Sequence, residues 1–104
     1  MSKCDTEPRT SDLSLTAILY ALSDETRLQM VDTLAEAEYV DCGSFDVDAP
    51  KSSLSYHFRV LVSSGIIGRK KVGTAIHNRL RREDLNERFP GLLDAVLEAR
   101  RNSA

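Results

Sequence analysis

A single hairpin signal divides this chain: the runs Ile66 to Val72 and Ala75 to Leu80 flank Gly73-Thr74, a glycine-first pair that suits a two-residue turn. Around it, apolar residues recur mostly at helical spacing. With 104 residues there is room for one compact domain and not for two. The expectation is therefore a mainly α domain carrying one small β hairpin, residues 11–104, behind a polar, mobile tail at residues 1–10.

The helical pattern breaks into several pieces. Leu13, Ala17, Leu19 and Leu22, with Ile18 beside them, predict a first helix over 12–22, capped by Ser11 or Asp12. Ser23 offers a second cap, with Asp24 and Glu25 placed where negative charge meets the positive helix end. Leu28, Val31, Leu34 and Ala35 are the buried stripe of that second helix, 24–36. Residues 38–48 settle into no period, are interrupted by Gly43, and read as a short irregular helix. Beyond Pro50, Leu54, Phe58, Leu61 and Val62 lie at i, i+4, i+7 and i+8, which gives one buried face. The opposite face shows Lys51, Ser52, Ser53, Ser55, Tyr56, Arg59 and Ser63, all able to hydrogen-bond, and Gly65 closes the helix as a left-handed cap. A short helix from Glu83 to Phe89 and a terminal one from Pro90 complete the order.

Charge is distributed unevenly over these pieces. Between Ala49 and Arg82 stand Lys51, Arg59, Arg69, Lys70, Lys71, Arg79, Arg81 and Arg82, with no Asp or Glu among them. The formal total of −2 conceals that stretch. A single-sign surface on a helix and a hairpin points to a polyanion, and duplex DNA rewards such a stripe. Three Tyr, three Phe and no Trp argue against a stacking platform for single strands. Cys4 and Cys42 make no disulfide framework and fit a reducing compartment. No apolar segment resembles a secretory signal or a membrane span, so a cytoplasmic location with no membrane partner is expected.

Three stretches resemble a known family. Ala21-Leu22-Ser23-Asp24-Glu25-Thr26-Arg27-Leu28 is similar to the A-L-x-D-x-T-R-L signature of ArsR/SmtB-type bacterial transcriptional regulators. Ser55-Tyr56-His57-Phe58-Arg59-Val60-Leu61 is similar to their recognition helix, and Ser64-Gly65-Ile66-Ile67 to the exit into the wing. The resemblance implies a winged helix-turn-helix homodimer, paired through its first and last helices, that acts as a repressor on an imperfect palindrome of double-stranded DNA. Leu13, Leu15, Leu19, Leu92, Leu93, Val96 and Leu97 are apolar stripes left over for that pairing.

Roles follow from side-chain chemistry. Ser52, Ser53, Ser55 and Tyr56 stand near the amino end of the recognition helix, where base edges come within reach. Lys51, Arg59, Arg69, Lys70, Lys71 and Arg79 suit phosphates. The alternative for the serines is simple solvation of a helix. Arg81 and Arg82 have the alternative of pairing with Glu83 or Asp84.

Many relatives bind metals through a Cys-x-Cys pair, but Val40 stands where the first thiolate would be, so no metal site or cofactor is assigned. A metal- or thiol-responsive repressor using Cys42 with Cys4 is the alternative, as is a degenerate winged helix serving as a protein interaction module. His57 is expected to orient its helix by a hydrogen bond, and His77 to face phosphate or solvent. No nucleophile elbow, no His–carboxylate pair spaced for proton transfer and no glycine-rich phosphate loop equips the chain as an enzyme.

Overall fold

Arg27 explains how the first two helices are joined. The last carbonyls of any helix lack intrahelical partners. In the computed structural model, which describes residues 7–41 and 50–103, the buried Arg27 guanidinium fills that need for α1 (Leu15–Ala21). Its Nε donates to the Ala21 carbonyl at 2.7 Å and its Nη2 to the Tyr20 carbonyl at 3.3 Å. The Ser23 hydroxyl donates to the same Tyr20 carbonyl at 2.6 Å. Arg27 belongs to α2 (Glu25–Ala35), so one side chain caps one helix while built into the next.

Both helices begin later than their composition suggests, α1 by three residues and α2 by one. Ser14, not Ser11 or Asp12, caps α1, its Oγ accepting from Ala17 N at 3.4 Å. A 3-10 turn, Thr10–Asp12, occupies the preceding residues. Asp24, not Ser23, caps α2, accepting from Arg27 N at 3.0 Å. An ionised carboxylate outcompetes a hydroxyl at a positive helix end, and Ser23 is already used on the Tyr20 carbonyl.

The expected two-stranded wing is a three-stranded antiparallel sheet in the order β1-β3-β2. Its additional member is β1 (Val40–Asp41), which pairs Val40 with Asn78 and Asp41 with His77. Of the irregular helix expected over 38–48, Glu38 and Tyr39 lie in no helix, Val40 and Asp41 are strand, and 42–48 fall outside the described residues. β2 (Ile67–Val72) and β3 (Ala75–Leu80) form the predicted hairpin, with Gly73 at φ 63°.

Between them and α2 lies α3 (Lys51–Ser64), entered at Pro50 without a side-chain cap and left at Gly65, whose φ of 92° is open to glycine at little cost. A Cβ at Gly65 would collide with the Leu13 side chain and press on Pro8. The exit from α3 is therefore closed both by backbone conformation and by packing.

The core gathers Ile18, Met30, Val31, Leu34, Phe58, Leu61, Ile66 and Ile67 between α1, α2, α3 and the sheet. Each fully buried aliphatic side chain of this kind contributes roughly 1.5–3 kcal/mol over its exposed state. The chain then forms α4 (Arg82–Arg88) and, after Gly91 at φ 82°, α5 (Leu92–Ser103).

Leu13, Leu93 and Leu97, expected on stripes awaiting a partner, are instead buried within this core. Leu15 and Leu19 stay exposed, with Leu92 and Val96 half-buried. Arg100 and Arg101 pin the last turns of α5 to α2 through Asp32, with Glu25 and Glu36 beside it. No described helix is long and apolar enough to cross a membrane.

Residues 7–10, assigned from composition to a tail, make specific contacts. Glu7 Oε2 accepts from Arg69 N at 2.9 Å, and the Pro8 carbonyl accepts from Arg81 Nη1 at 2.7 Å. The Thr10 hydroxyl donates to Asp84 Oδ1 at 2.9 Å.

Candidate nucleic-acid interface

Along α3 the two faces separate cleanly. Phe58, Leu61 and Val62 are buried, which turns Ser52, Ser55, Tyr56, Arg59 and Ser63 to the outside. Ser53 is half-buried at the edge of that face. Lys51 begins the helix, and its side chain lies outside the described part of the structure.

The orientation of that face is fixed from below. Arg27 Nη1 donates to His57 Nδ1 at 3.0 Å. An arginine only donates, so Nδ1 accepts and the ring proton belongs on Nε2. There it faces Asp24 Oδ2, 3.8 Å away. Asp24, Arg27 and His57 thus run from the cap of α2 through its first turn into the middle of α3. His57 orients its helix as expected. That Arg27 would be buried was not legible, because an isolated arginine reads as a surface residue.

On the sheet, register sorts the basic residues. Directly paired residues project to the same side, so Lys70, His77 and Arg79 share one face with Asp41, while Arg69, Lys71 and Asn78 share the other. Arg69 is half-buried: its Nε donates to Asn78 Oδ1 at 3.2 Å and its guanidinium lies 5.9 Å from the Phe58 ring centroid. Asn78, wholly buried, donates through Nδ2 to the Val40 carbonyl at 3.0 Å. One Asn–Arg pair therefore fastens β1, β2 and β3 together and seats them on α3.

Arg81 and Arg82 are also occupied. Arg81 is buried with its Nε donating to Asp84 Oδ2 at 3.0 Å, and Arg82 donates to the Ala35 carbonyl at 3.0 Å. His77 stacks on Tyr39 at 3.8 Å between ring centroids, its Nε2 3.5 Å from Asp41 Oδ1, rather than turning to solvent. Arg59, Lys70, Lys71 and Arg79 are exposed cations of the stretch, and Arg82 is exposed as well but spends a donor on the Ala35 carbonyl. The acid-free segment thus contributes partly to the surface and partly to the framework that supports it.

Comparison with known proteins accords with this geometry. An ArsR-like transcriptional regulator from Rhodococcus sp. RHA1 has the same fold, with a TM-score of 0.65 and 27% identity across 85% of this chain and 82% of that one. An uncharacterized HTH-type transcriptional regulator of Bacillus subtilis strain 168, YceK, is 30% identical over 82 residues, 76% of this chain and 82% of that protein. The chain belongs to the ArsR-like helix-turn-helix transcriptional regulators. No protein-family model matches it.

As an ArsR-like regulator the chain is a DNA-binding protein and not an enzyme. Its winged helix-turn-helix comprises α2, α3 and the sheet. No group of three or more His, Cys, Asp or Glu stands together as a metal site among the described residues. Cys4 and Cys42, the thiols of the alternative reading, lie outside them. Tyr20 went unnoticed in the sequence, since it falls just before the ArsR-like signature and off the buried stripe of its helix. Its hydroxyl is 3.1 Å from that of Tyr56.

Proposed function

We propose that this regulator is a homodimeric repressor whose two α3 helices enter successive major grooves of an imperfect palindrome in duplex DNA. The observation that carries the reading is the outward face of α3, Ser52, Ser55, Tyr56 and Arg59, set beside a sheet that exposes Lys70, Lys71 and Arg79. Short hydroxyls and a phenol at the amino-terminal half of the helix contact base edges, together with Ser53 at the margin. Arg59, Lys70, Lys71, Arg79 and Lys51 take phosphates. Arg69 serves the interface by holding the wing against Phe58. The protein works in the cytoplasm, with its DNA.

Dimerisation buries Leu15 and Leu19 of α1 with Leu92 and Val96 of α5. Two exposed leucines on one short helix, each about half accessible at 45% and 46%, support that assignment. A twofold partner presents the same surface, and its α3 then meets the second half-site. Occupancy of the site blocks transcription until an inducing signal lowers affinity.

The test is a salt titration of binding to duplexes enriched by the full chain from a randomised pool. Five such cations per protomer give about ten phosphate contacts per dimer, so log K falls with log salt at a slope near −9. A flat response supports an interaction module instead. A reporter placed behind an enriched site and de-repressed on deletion of the gene establishes the sign of regulation.

A further inference from the structure

Two exposed phenols seldom need each other, because water satisfies either one. Tyr20 on the last turn of α1 and Tyr56 on the outer face of α3 are 55% and 44% exposed, yet their hydroxyls share a hydrogen bond at 3.1 Å. The pair joins residues 36 apart in sequence and on different helices. Tyr20 is itself held in place, because Arg27 sits 5.2 Å from its ring centroid and bonds its carbonyl. The same Arg27 anchors His57, whose ring lies 5.7 Å from that of Tyr56. The two tyrosines therefore stand on a common base.

We propose that Tyr20 is a positioning residue for DNA recognition, its hydroxyl fixing the direction of the Tyr56 phenol and thereby the base preference at the step Tyr56 faces. A hydroxyl both donates and accepts. Once Tyr20 takes one of those roles, Tyr56 offers DNA mainly the other. A donating Tyr56 is met by guanine, thymine or adenine N7 and finds no acceptor on cytosine, whereas an accepting one needs the amino group of cytosine or adenine. Without Tyr20 the ring turns freely and both kinds of edge are met. The Tyr20 hydroxyl also holds the Tyr56 phenol above the usual tyrosine range, chiefly through the shared hydrogen bond.

This inference rests on the DNA-binding reading of the α3 face, and the experiment separates the two. Duplexes enriched from a randomised pool by the full-length chain are titrated, with single base-pair variants, against wild type, Tyr20→Phe, Tyr56→Phe and the double variant. Both substitutions remove one exposed hydroxyl, and circular dichroism melts confirm the fold. Tyr20→Phe is expected to keep the salt slope and to lose about fivefold in discrimination at the base pair that Tyr56→Phe identifies. Adding it to Tyr56→Phe is expected to change nothing further.

A Tyr20→Phe protein that discriminates like wild type overturns the inference. So does an equal loss in both backgrounds, which makes Tyr20 an independent DNA contact. In the protein without DNA, tyrosinate absorbance should show one tyrosine titrating at lower pH after Tyr20→Phe, and an unchanged curve also counts against it. If wild type enriches no duplex, the DNA-binding reading falls and takes this one with it. If wild type binds with a steep salt slope and Tyr20→Phe is silent, only the positioning role fails.

Discussion

Arg27 Nη1 and His57 Nδ1, 3.0 Å apart, join the first turn of α2 to the centre of α3. Through this bond the helix that frames the interface and the helix that forms its outer face are held at a fixed angle. The same guanidinium closes the end of α1. Removing it leaves the buried Ala21 carbonyl and the His57 imidazole nitrogen without this donor, while the Tyr20 carbonyl keeps the Ser23 hydroxyl. Arg27→Ala is expected to cost about 2–4 kcal/mol in urea unfolding, and Arg27→Lys to recover little of it, since one ammonium nitrogen cannot span the acceptors that Nε, Nη1 and Nη2 reach separately.

Gly65 tests the exit from α3. Its φ of 92° disfavours any side chain, and a Cβ would meet Leu13. Gly65→Ala therefore combines backbone strain with overpacking, for roughly 2–4 kcal/mol in total. Thermal melts give the measure, and Gly73→Ala, where nothing lies nearby, is expected to lose only the backbone part.

Arg69 and Lys71 are close in sequence and opposite in consequence. Arg69→Ala deprives the buried Asn78 of a donor and Phe58 of its cation, and is expected to cost about 1–2 kcal/mol of stability. Lys71→Ala, at an exposed position, is expected to leave the melt unchanged. On the dimeric DNA-binding reading proposed above, it is expected to remove two phosphate contacts and make the salt slope shallower by about 2. Measuring both quantities on both variants separates framework from contact.

Acid stability has an identifiable source. The Thr10 hydroxyl first, and Arg81 second, hold the Asp84 carboxyl below the usual carboxylate range. The unfolded chain then takes up this proton at higher pH than the folded one. The stabilisation is present above the ordinary aspartate value of about 3.9 and disappears as pH falls through the folded value. Asp84→Asn is expected to be less stable than wild type at neutral pH, with the gap closing below about pH 4. Unfolding curves over a pH series show whether it does.

Much of this arrangement could be read from the residues. Gly65 and Gly73 marked a helix end and a turn because few other residues tolerate those angles, and the 3.6-residue stripe of α3 announced its buried face. β1 escaped notice because two residues are too few to display a period, and its partner strand is nearly 40 positions away. The caps shifted by a residue or more because Ser11, Asp12, Ser14, Ser23 and Asp24 are chemically competent alike, and only tertiary contacts choose among them. For the basic stretch, charge was legible and direction was not: Arg69, Arg81 and Arg82 turn to neighbours that lie far along the chain or inside another element.

The sheet order leaves β2 with an open side, and on that side Glu7 Oε2 already receives the Arg69 amide. A bare row of outward amides invites another copy to add its own strand, the usual first step toward fibrous precipitation. The carboxylate of Glu7 both occupies one of those amides and repels a carbonyl edge approaching it. A residue of the amino-terminal segment thereby guards the edge of the wing against its own kind.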